Sequence, residues 1–365
     1  MKPLLLRQLS VRLDPPGNGG EEALVFTSER RRLVVRGHSF REFLAHVVPL
    51  LDGTRTLEEI QDEVADVFEP QDVADSIALL AQHQIIEDAE RMPVRAEVQE
   101  RMEPQLNYLR ELHPAPAEVL ERLAAATVSV VGTGALGAVA AAALAAAGIG
   151  RVRCVDSLSV TVTDPFLAQL FSLDDVGSPR VDVVRRRILA VNPATTVELV
   201  ADELADENAV RDAVAGSTFV LGCIDPGLSS LTYRLNRACL AERIPWCGGR
   251  VTAFEGLVGP TVIPYESACY LCYQMRAVAC ADDPEEALIA LKEQDRRKSD
   301  DSPHRENLAF GAGIVGHFLG LEAFKAVSGG RPASAGRVLT VDLMQGAMSK
   351  HVVLRKPWCP DCYQP

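Results

Sequence analysis

Four cysteines form two pairs with the spacing of a metal site. Cys269 and Cys272 stand in the stretch CYLC, and Cys359 and Cys362 stand in CPDC. Each C-x-x-C pair brings two thiolates to one side of a turn, and two pairs complete the tetrahedral site that structural zinc prefers. The alternative is two unrelated or redox-active pairs. Because four thiolates leave no coordination position open, we predict a structural rather than a catalytic zinc ion.

A glycine motif of the form G-x-G-x-x-G lies between strand-like and helix-like sequence. Its glycines are Gly132, Gly134 and Gly137, and Asp156 ends the next strand-like run, RVRCVD. Such glycines let the backbone approach phosphate at a helix N-terminus, and the acid can hold ribose hydroxyls. The alternative is a tight turn that only packs. With the strand, the helix and the acid all in place, we predict a site descended from a nucleotide-binding site.

The elements around this motif predict a doubly wound, Rossmann-like α/β domain. Strand-like runs such as TTVELV, TFVLGCID and IPWCGGRV alternate with helical runs such as RVDVVRRRILAVN, which is the pattern of a largely parallel sheet covered by helices. We assign residues 123–365 to this domain. A polar, charge-dense insert at about 279–307 is expected to be a mobile loop with some helix.

A smaller unit precedes this domain. Alternating residues in LSVRL and ALVFTSERRRLVV predict short strands, and three helical patterns follow, the second opened by a capping box at Thr56 and Glu59 and the third begun by Pro70. This order predicts a winged helix-turn-helix domain at residues 1–92, joined by a linker with helical stretches at 93–122. The two later helices are acidic, so their faces would repel DNA.

The charge balance argues against one class of partner. The chain has 50 acidic and 37 basic side chains and a formal net charge of −13, whereas a general nucleic-acid binder needs a basic surface. The start lacks the apolar core of a signal peptide, and the longest small-apolar run, residues 138–149, is too short to span a bilayer. We therefore expect a cytoplasmic protein without a nucleic-acid or membrane partner.

The other five cysteines are expected to be inert. Cys154, Cys223 and Cys247 lie in or beside apolar strands, and Cys239 lies on an amphipathic helix, where a thiol behaves as a small hydrophobe. Cys280 is the only candidate for a reactive thiol, and no neighbouring cation in the sequence favours its thiolate.

The motifs and their order resemble the ThiF/MoeB superfamily, relatives of ubiquitin-activating enzymes that adenylate a carboxyl terminus. The match spans about residues 107–362 and includes VVGTGALG, VD, DDVGSPR, NP, CIDP, GGRVTAFEGLV and both cysteine pairs. The resemblance implies ATP and magnesium at the glycine turn and a homodimer. It assigns the ribose to Asp156, magnesium to Asp225 and the role of the family's lysine to Arg180.

The match breaks within VDSLSVTVTDPFLAQLF, residues 155–171. The family has a second acid, an asparagine and an arginine where this chain has Leu158, Asp164 and Leu167, and a one-residue slip puts Ala168 at the arginine position. That arginine stabilises developing phosphate charge, which leucine cannot do. We therefore expect a degenerate site at which ATP and magnesium bind weakly or not at all.

Another arginine is a candidate substitute for the missing cation. Arg110, in LNYLREL, resembles part of the family's N-terminal arginine motif, although the first arginine of that motif is Asn107 here.

A winged-helix unit before a degenerate domain of this superfamily resembles the ocin-ThiF-like, cyclodehydratase-associated proteins that make azoline peptides and thiopeptides. The resemblance implies a RiPP recognition element, which binds a precursor's leader as an added strand against its third strand and third helix. A separate YcaO-type protein then uses ATP to cyclise Cys, Ser or Thr. The candidate peptide-binding residues are Arg30, Arg31, Arg32, Leu33, Val34, Val35, Arg36, Asp72, Ser76 and Leu79.

The residues themselves support this peptide site. Five arginines and no acid lie between Arg30 and Arg41, in an otherwise acidic chain. An edge strand there would present unpaired backbone groups to an acidic leader. The alternative is a solvated hairpin whose charges protect the edge.

Three hypotheses follow. The first is a leader-binding protein that activates a YcaO partner and is not catalytic alone. The second is an active adenylyltransferase that acts on a peptide or sulfur-carrier carboxylate through Asp225 and Arg180. The third, regulation by DNA binding, is disfavoured by charge.

Overall fold

The computed structural model describes residues 1–15, 21–91, 101–113, 115–224, 229–294 and 308–363. The chain divides into two compact units, Met1–Glu121 and Arg122–Pro365. Asp225 and the part of the insert after Gln294, residues 295–307, lie outside the described residues.

The first unit contains two small antiparallel sheets. One pairs β1 with β5, and the other is a meander in the order β2-β3-β4. The turn between β3 and β4 closes through the Ser28 N–H, which donates to the Arg31 carbonyl over 2.9 Å. The strands are β1 Pro3–Leu5, β2 Ser10–Asp14, β3 Glu22–Thr27, β4 Arg32–Gly37 and β5 Ile86–Asp88.

Helices cover the inner face of this meander. The capping box is confirmed, since the Thr56 hydroxyl accepts from the Glu59 N–H and the Glu59 carboxylate accepts from the Thr56 N–H. Leu24 and Phe26 of β3 pack with Val73 and Ile77 of α3 in one apolar core. The helices are α1 Phe40–Glu42, a π-helix Phe43–Val47, a 3-10 turn Val48–Leu50, α2 Leu57–Glu63, α3 Pro70–Gln82, a 3-10 turn Ala89–Arg91, α4 Glu103–Leu112 and α5 Pro116–Ala125, which crosses the boundary between the units.

The second unit is built on an eight-stranded sheet in the order β13-β12-β11-β10-β9-β6-β7-β8. The five strands from β10 to β8 run parallel, and the other three are antiparallel. The chain leaves β6 toward β7 on one side and later returns to β9 on the other, so the end of β6 is a topological switch point, where ligands bind in such sheets. The strands are β6 Thr127–Val131, β7 Arg151–Val155, β8 Thr196–Val200, β9 Phe219–Gly222, β10 Trp246–Val251, β11 Glu255–Val262, β12 Arg337–Asp342 and β13 Ala347–Val352.

The described part of the second unit also contains eight α-helices. They are α6 Ala135–Ala146, α7 Asp164–Leu167, α8 Arg180–Val191, α9 Glu207–Val214, α10 Ser229–Ala241, α11 Tyr270–Ala279, α12 Pro284–Gln294 and α13 Ala309–Val327. Small residues let two of them approach closely, because a Cβ added at Gly316 of α13 would lie 2.8 Å from the Cβ of Val139 on α6.

Helix α13 is long and apolar enough to cross a membrane by length and composition. Its residues Ala312, Val315, Leu319 and Ala323 have no exposed surface. Because it packs against α6 and the sheet, we interpret it as a core helix.

Candidate functional site

The four motif cysteines lie together, and all four are buried. The Sγ atoms of Cys269 are 3.8 Å from Cys272 and 3.7 Å from Cys359, and Cys272 is 3.6 Å from Cys362. A tetrahedral ion with a metal–sulfur distance of about 2.3 Å has sulfurs about 3.8 Å apart. The cluster therefore fits a closed four-thiolate metal site, which joins the start of α11 to residues near 360.

The thiols of the cluster shift in different directions: the hydrogen bond with Cys272 and burial raise the pKa of Cys269, and burial raises the pKa of Cys362 to about 11. The hydrogen bond from the Cys269 thiol lowers the pKa of Cys272 to about 4, although burial opposes this, and the Lys356 N–H also donates to the Cys272 sulfur over 3.3 Å. Burial instead raises the pKa of Cys154 and Cys247 to about 12 and that of Cys239 still further. These three thiols stay protonated at neutral pH, as expected for buried hydrophobes, whereas Cys280 is exposed.

The glycine loop makes a tight connection from β6 to α6. Gly132 has a φ of +86°, and a Cβ at this position would lie 2.3 Å from the Cys223 carbonyl oxygen. A Cβ at Gly137 would lie 1.9 Å from the Gly132 oxygen. Gly134 precedes the first residue of α6. Only glycine fits the first and third positions, so the loop holds the N-terminus of α6 close to the ends of β6 and β9.

Asp156 stands at the end of β7 and accepts hydrogen bonds from this loop. Its Oδ2 accepts from the Thr133 N–H over 2.7 Å, and its Oδ1 accepts from the Leu158 N–H over 2.9 Å. Arg180, the first residue of α8, has its Nη1 3.8 Å from the same Oδ2. The structure thus brings together the glycine loop, the predicted ribose acid and the residue at the family's lysine position.

A cavity of about 340 Å³ opens beside the loop, at the carboxyl end of the parallel strands. Apolar side chains such as Leu204, Ile224 and Leu231 line it, and the described lining residues also include three acids and one base, Arg234. The Arg234 guanidinium donates to the Ala205 carbonyl through Nη1. The acids are Asp156, Asp202 and Glu203.

The residues that depart from the family pattern lie along the segment after β7. Leu158 lines this cavity. Leu167 ends the short helix α7, and Ala168 is 2% exposed. The new feature is Asp164 at the start of α7, whose carboxylate accepts two hydrogen bonds from Arg180, at 3.2 Å and 3.0 Å. The acid is visible in the sequence, but its pairing with a residue sixteen positions later is not.

Arg110 has a partner within the first unit. Its Nε and Nη2 donate to the Glu87 carboxylate over 3.1 Å and 2.9 Å, and its Nη1 donates to the Asn107 side chain over 2.8 Å. Arg110 is 4% exposed. Its guanidinium is committed to this buried ion pair.

The candidate peptide-binding residues on the first unit fall on the turn before β4, on β4 and on α3. Among the described residues, β4 pairs with β3 alone, so its other edge is open. Exposed Arg32, Val34 and Arg36 alternate with half-buried Leu33 and Val35.

The two arginines before β4 differ. Arg30 is exposed, whereas the Arg31 guanidinium donates to the carbonyls of Gln84 and Arg110. Arg31 therefore contributes to the packing of the first unit.

A cavity of about 560 Å³ connects the end of β4 to the first half of α3. Asp72 and Ser76 line it beside the aromatic rings of Phe40, Phe43 and Phe68. Leu79 lies one turn further along α3, is 37% exposed and does not line this cavity.

Most of this chain matches one protein family in sequence. The ThiF family model matches residues 107–361. The molybdopterin-synthase adenylyltransferase of Salmonella typhimurium is 30% identical over 251 residues, which are 67% of this chain and 90% of that protein. The sulfur carrier protein adenylyltransferase of Thermus thermophilus is 30% identical over 66% of this chain and 84% of its own length.

Two solved structures share the fold. Escherichia coli MccB, solved with a form of the peptide MccA, aligns with a TM-score of 0.71 and 18% identity over 100% of both chains. PaaA aligns with a TM-score of 0.70 and 18% identity over 95% of this chain and 99% of its own. The fold likeness therefore includes the smaller first unit as well as the α/β unit. With the glycine loop, Asp156 and the cysteine cluster in place and a family model that covers most of its length, this chain belongs to the ThiF family.

Proposed function

We propose that this protein binds the leader of a ribosomally made precursor peptide and presents it to a separate YcaO-type cyclodehydratase. That partner, activated by the complex, uses ATP to form azolines from Cys, Ser or Thr. The first unit acts as a winged-helix RiPP recognition element in this proposal, and the ThiF-like unit does not adenylate. The open, arginine-bearing edge of β4 is the observation that carries it.

The edge of β4 has the properties that strand addition needs. Its outward N–H and C=O groups provide main-chain hydrogen bonds, and its alternating side chains provide selectivity. Arg32 and Arg36 point to the same face, four residues apart, with Val34 between them. Neither arginine has an ion pair with an acid among the described residues. A leader strand with acids spaced by four residues would match both charges.

The inner face of the added strand would meet apolar side chains instead of arginines. Leu33 and Val35 are half-buried on the face that packs on the helices. An antiparallel leader would therefore place apolar side chains inward and acids outward. Beyond the end of β4, the cavity lined by Phe40, Phe43 and Phe68 would accept the next apolar side chain.

Fold relatives support a peptide ligand. MccB of Escherichia coli has been solved in complex with N-formylated MccA and is described as a microcin C7 biosynthetic enzyme. The fold of this chain matches MccB from end to end, and a peptide ligand is the coarse feature that we carry over. The leader and the YcaO partner are our own assignments.

Within the described residues of the second unit, neither of the two positions at which the family has a cation offers a free one. Leu167 replaces the family's arginine, and Arg180 is bound by Asp164. Removing one such electrostatic contact from a transition state costs about 3–4 kcal/mol, or a few hundred-fold in rate. We propose that the unit keeps its fold to dock the partner, with zinc in the cysteine cluster as a structural ion.

We also propose a homodimer through the surface that α6, α8 and α13 form. Phe310, Ile314 and Leu321 of α13 are 76%, 40% and 37% exposed, and Val191 of α8 is 48% exposed. They line an apolar cavity of about 760 Å³ with the alanines of α6. Exposed apolar side chains that are grouped on one face are a feature of protein interaction sites. We propose that this activity takes place in the cytoplasm, where ATP is available.

A second candidate function is an active adenylyltransferase. It is favoured by the two relatives at 30% identity, which are named as adenylyltransferases of molybdopterin synthase and of a sulfur carrier protein. In that case Asp225 and Arg180 would serve a peptide or sulfur-carrier carboxylate.

The decisive binding test is fluorescence polarisation with the labelled leader of the short precursor encoded nearest to this gene. Arg32→Glu and Arg36→Glu should each weaken binding about tenfold or more, because each replaces an attraction with a repulsion. Arg12→Glu is the matched control, since Arg12 lies on the opposite edge strand, β2, with 62% exposure. Equal loss in all three variants would contradict the β4 site.

The catalytic test separates the two candidates. We expect the wild-type protein to give ATP–pyrophosphate exchange at background, and to accelerate azoline formation when added to the YcaO protein, seen as the loss of one water per ring. Substrate-dependent pyrophosphate release that Asp225→Ala abolishes would instead establish the adenylyltransferase.

A further inference from the structure

Arg180 binds a carboxylate of its own chain in the manner in which arginine binds an anionic ligand. Its Nε donates to Oδ2 of Asp164 over 3.2 Å, and its Nη2 donates to Oδ1 over 3.0 Å. Two parallel bonds of this kind are the usual geometry for arginine with a carboxylate or a phosphate. Arg180 and Asp164 are 6% and 3% exposed, so the pair is closed off from water.

Asp164 is held in place independently of Arg180. Its Oδ2 also accepts from the Thr161 N–H over 2.8 Å, which closes the turn before α7. The hydrogen bond from Thr161 therefore holds the Asp164 carboxylate in position beside the guanidinium.

A second carboxylate lies on the same guanidinium. Asp156 places its Oδ2 3.8 Å from Nη1 of Arg180. Two buried acids thus surround one base, and their summed charge is negative. The family pattern has an asparagine and a lysine at the positions of Asp164 and Arg180, which would change the summed charge of the three groups from −1 to zero and leave the base with one acidic neighbour, Asp156.

We propose that Asp164 takes the place of a nucleotide's phosphate on Arg180, so that the pocket accepts an uncharged nucleoside and rejects the triphosphate. This inference rests on the proposed loss of adenylation and names the ligand class that the remaining site selects. The cavity beside the glycine loop keeps apolar walls and the acid for ribose, while Asp202 and Glu203 add negative charge. Arg234, the one base among the described residues that line it, also donates to the Ala205 carbonyl.

A triphosphate would have to displace a buried carboxylate to reach Arg180. The displaced Asp164 would then lie unpaired and away from water, beside the incoming phosphate. A neutral nucleoside avoids this cost because its sugar and base contact only the cavity walls and Asp156.

The test compares adenosine, AMP and ATP with magnesium by isothermal titration calorimetry on the full chain. The wild-type protein should bind ATP no more tightly than adenosine. Asp164→Asn supplies the family's neutral residue at nearly the same volume, and it should raise the affinity for ATP relative to adenosine at least tenfold. The matched control is Asp175→Asn, because Asp175 is also buried and paired with arginines, but these are Arg186 and Arg187 and not Arg180.

Two double variants keep the test decisive. Asp164→Asn with Arg180→Lys supplies both family residues and avoids leaving the guanidinium without its carboxylate, so it should bind ATP even if the single variant folds poorly. Asp164→Asn with Arg180→Met should lose the gain, because the gain depends on the base. The proposal is overturned if the wild-type protein binds ATP more tightly than adenosine, or if neither family-type variant gains ATP affinity.

The same samples distinguish this proposal from the proposed function. Leader binding, measured by fluorescence polarisation, should be unchanged in the Asp164 variants because the β4 edge lies in the other unit. If the wild-type protein does not bind the leader but Asp164→Asn shows the expected increase in affinity for ATP, only the recognition role is refuted. Tight ATP binding with pyrophosphate exchange in the wild-type protein would refute the Asp164 proposal.

Discussion

Arg110 and Glu87 form a two-bond ion pair inside the first unit, with Nε 3.1 Å from Oε1 and Nη2 2.9 Å from Oε2. The Arg110 side chain is 5% exposed, and that of Glu87 is 20% exposed. The pair therefore connects α4 to β5 through charges that are largely removed from water. The arginine that resembles the family's N-terminal motif serves the packing of the first unit in this structure.

Glu87→Gln should lower the free energy of unfolding by about 3–5 kcal/mol, because it leaves the Arg110 charge buried without its partner. Urea denaturation followed by circular dichroism measures this loss. Glu103→Gln is the control, since Glu103 pairs with Arg7 at the surface, where such pairs contribute about 1 kcal/mol or less. A loss no larger than that of Glu103→Gln would show that water compensates the Arg110 charge.

Removal of the metal should destabilise the second unit. We expect about one zinc per chain by elemental analysis, and chelation or Cys362→Ser should lower the Tm by about 10 °C, because a structural metal contributes its binding energy to folding. Cys280→Ser is the control, since Cys280 is exposed and outside the cluster. An unchanged metal content in Cys362→Ser would contradict the four-cysteine site.

Much of the fold follows from local patterns. The β2-β3-β4 strands, the strands β6 to β10, the Thr56–Glu59 capping box and the clustering of the cysteines all carry signals of alternation, capping or spacing. The three-residue strand β1 does not, because so few residues cannot show an alternation. The hairpin β12–β13 was also not predicted, and the exposed residues of β13 carry no buried face.

Long-range pairing of charges is what the sequence leaves open. Asp164 and Arg180 are sixteen residues apart, and Glu87 and Arg110 are twenty-three apart. No periodicity connects such residues, so each acid resembles an ordinary surface charge until the fold brings its partner near. Glu322 is a third example, since it occupies an apolar helix and has no exposed surface.

Glu322 should make the stability of the second unit depend on pH. Burial opposes its ionisation, but the Ser334 hydroxyl and N–H, each 2.6 Å away, and Lys325 at 2.9 Å hold its pKa below the ordinary value of 4.5. A lowered folded-state pKa contributes stability that is complete above about pH 4.5 and is lost as the pH falls through the folded value.

Glu322→Gln should therefore cost about 2–3 kcal/mol at pH 7, as expected for hydrogen bonds to a charged group, and the deficit should narrow below pH 4.5. Urea unfolding between pH 3 and pH 7 measures both effects. Glu285→Gln is the control, at an exposed position on α12. Its free energy of unfolding should change with pH in the same way as that of the wild-type protein. A deficit that does not change with pH would show that Glu322 is protonated in the fold.

The apolar surface on α13 predicts a dimer that charge can break. Phe310→Glu combined with Ile314→Glu should give a monomer in size-exclusion chromatography with light scattering, because both substitutions place charges on an interface that excludes water. Phe254→Glu is the control, since Phe254 is 60% exposed outside this surface. A wild-type monomer at micromolar concentration would exclude the proposed homodimer.

The spacing of Arg32 and Arg36 predicts which leaders bind. Side chains four residues apart on a strand share one face. The leader should therefore carry acids at positions i and i+4, opposite these arginines. Changing either acid to its amide should weaken binding about threefold to tenfold and reduce its dependence on salt, because an exposed attraction is screened. The sharpest measurement is a charge swap: Arg36→Glu should bind a leader whose facing acid is changed to lysine more tightly than it binds the original leader. If the swapped pair shows no recovery by fluorescence polarisation while Arg36→Glu alone weakens binding, the arginine does not contact the leader and acts only through the general charge of the surface.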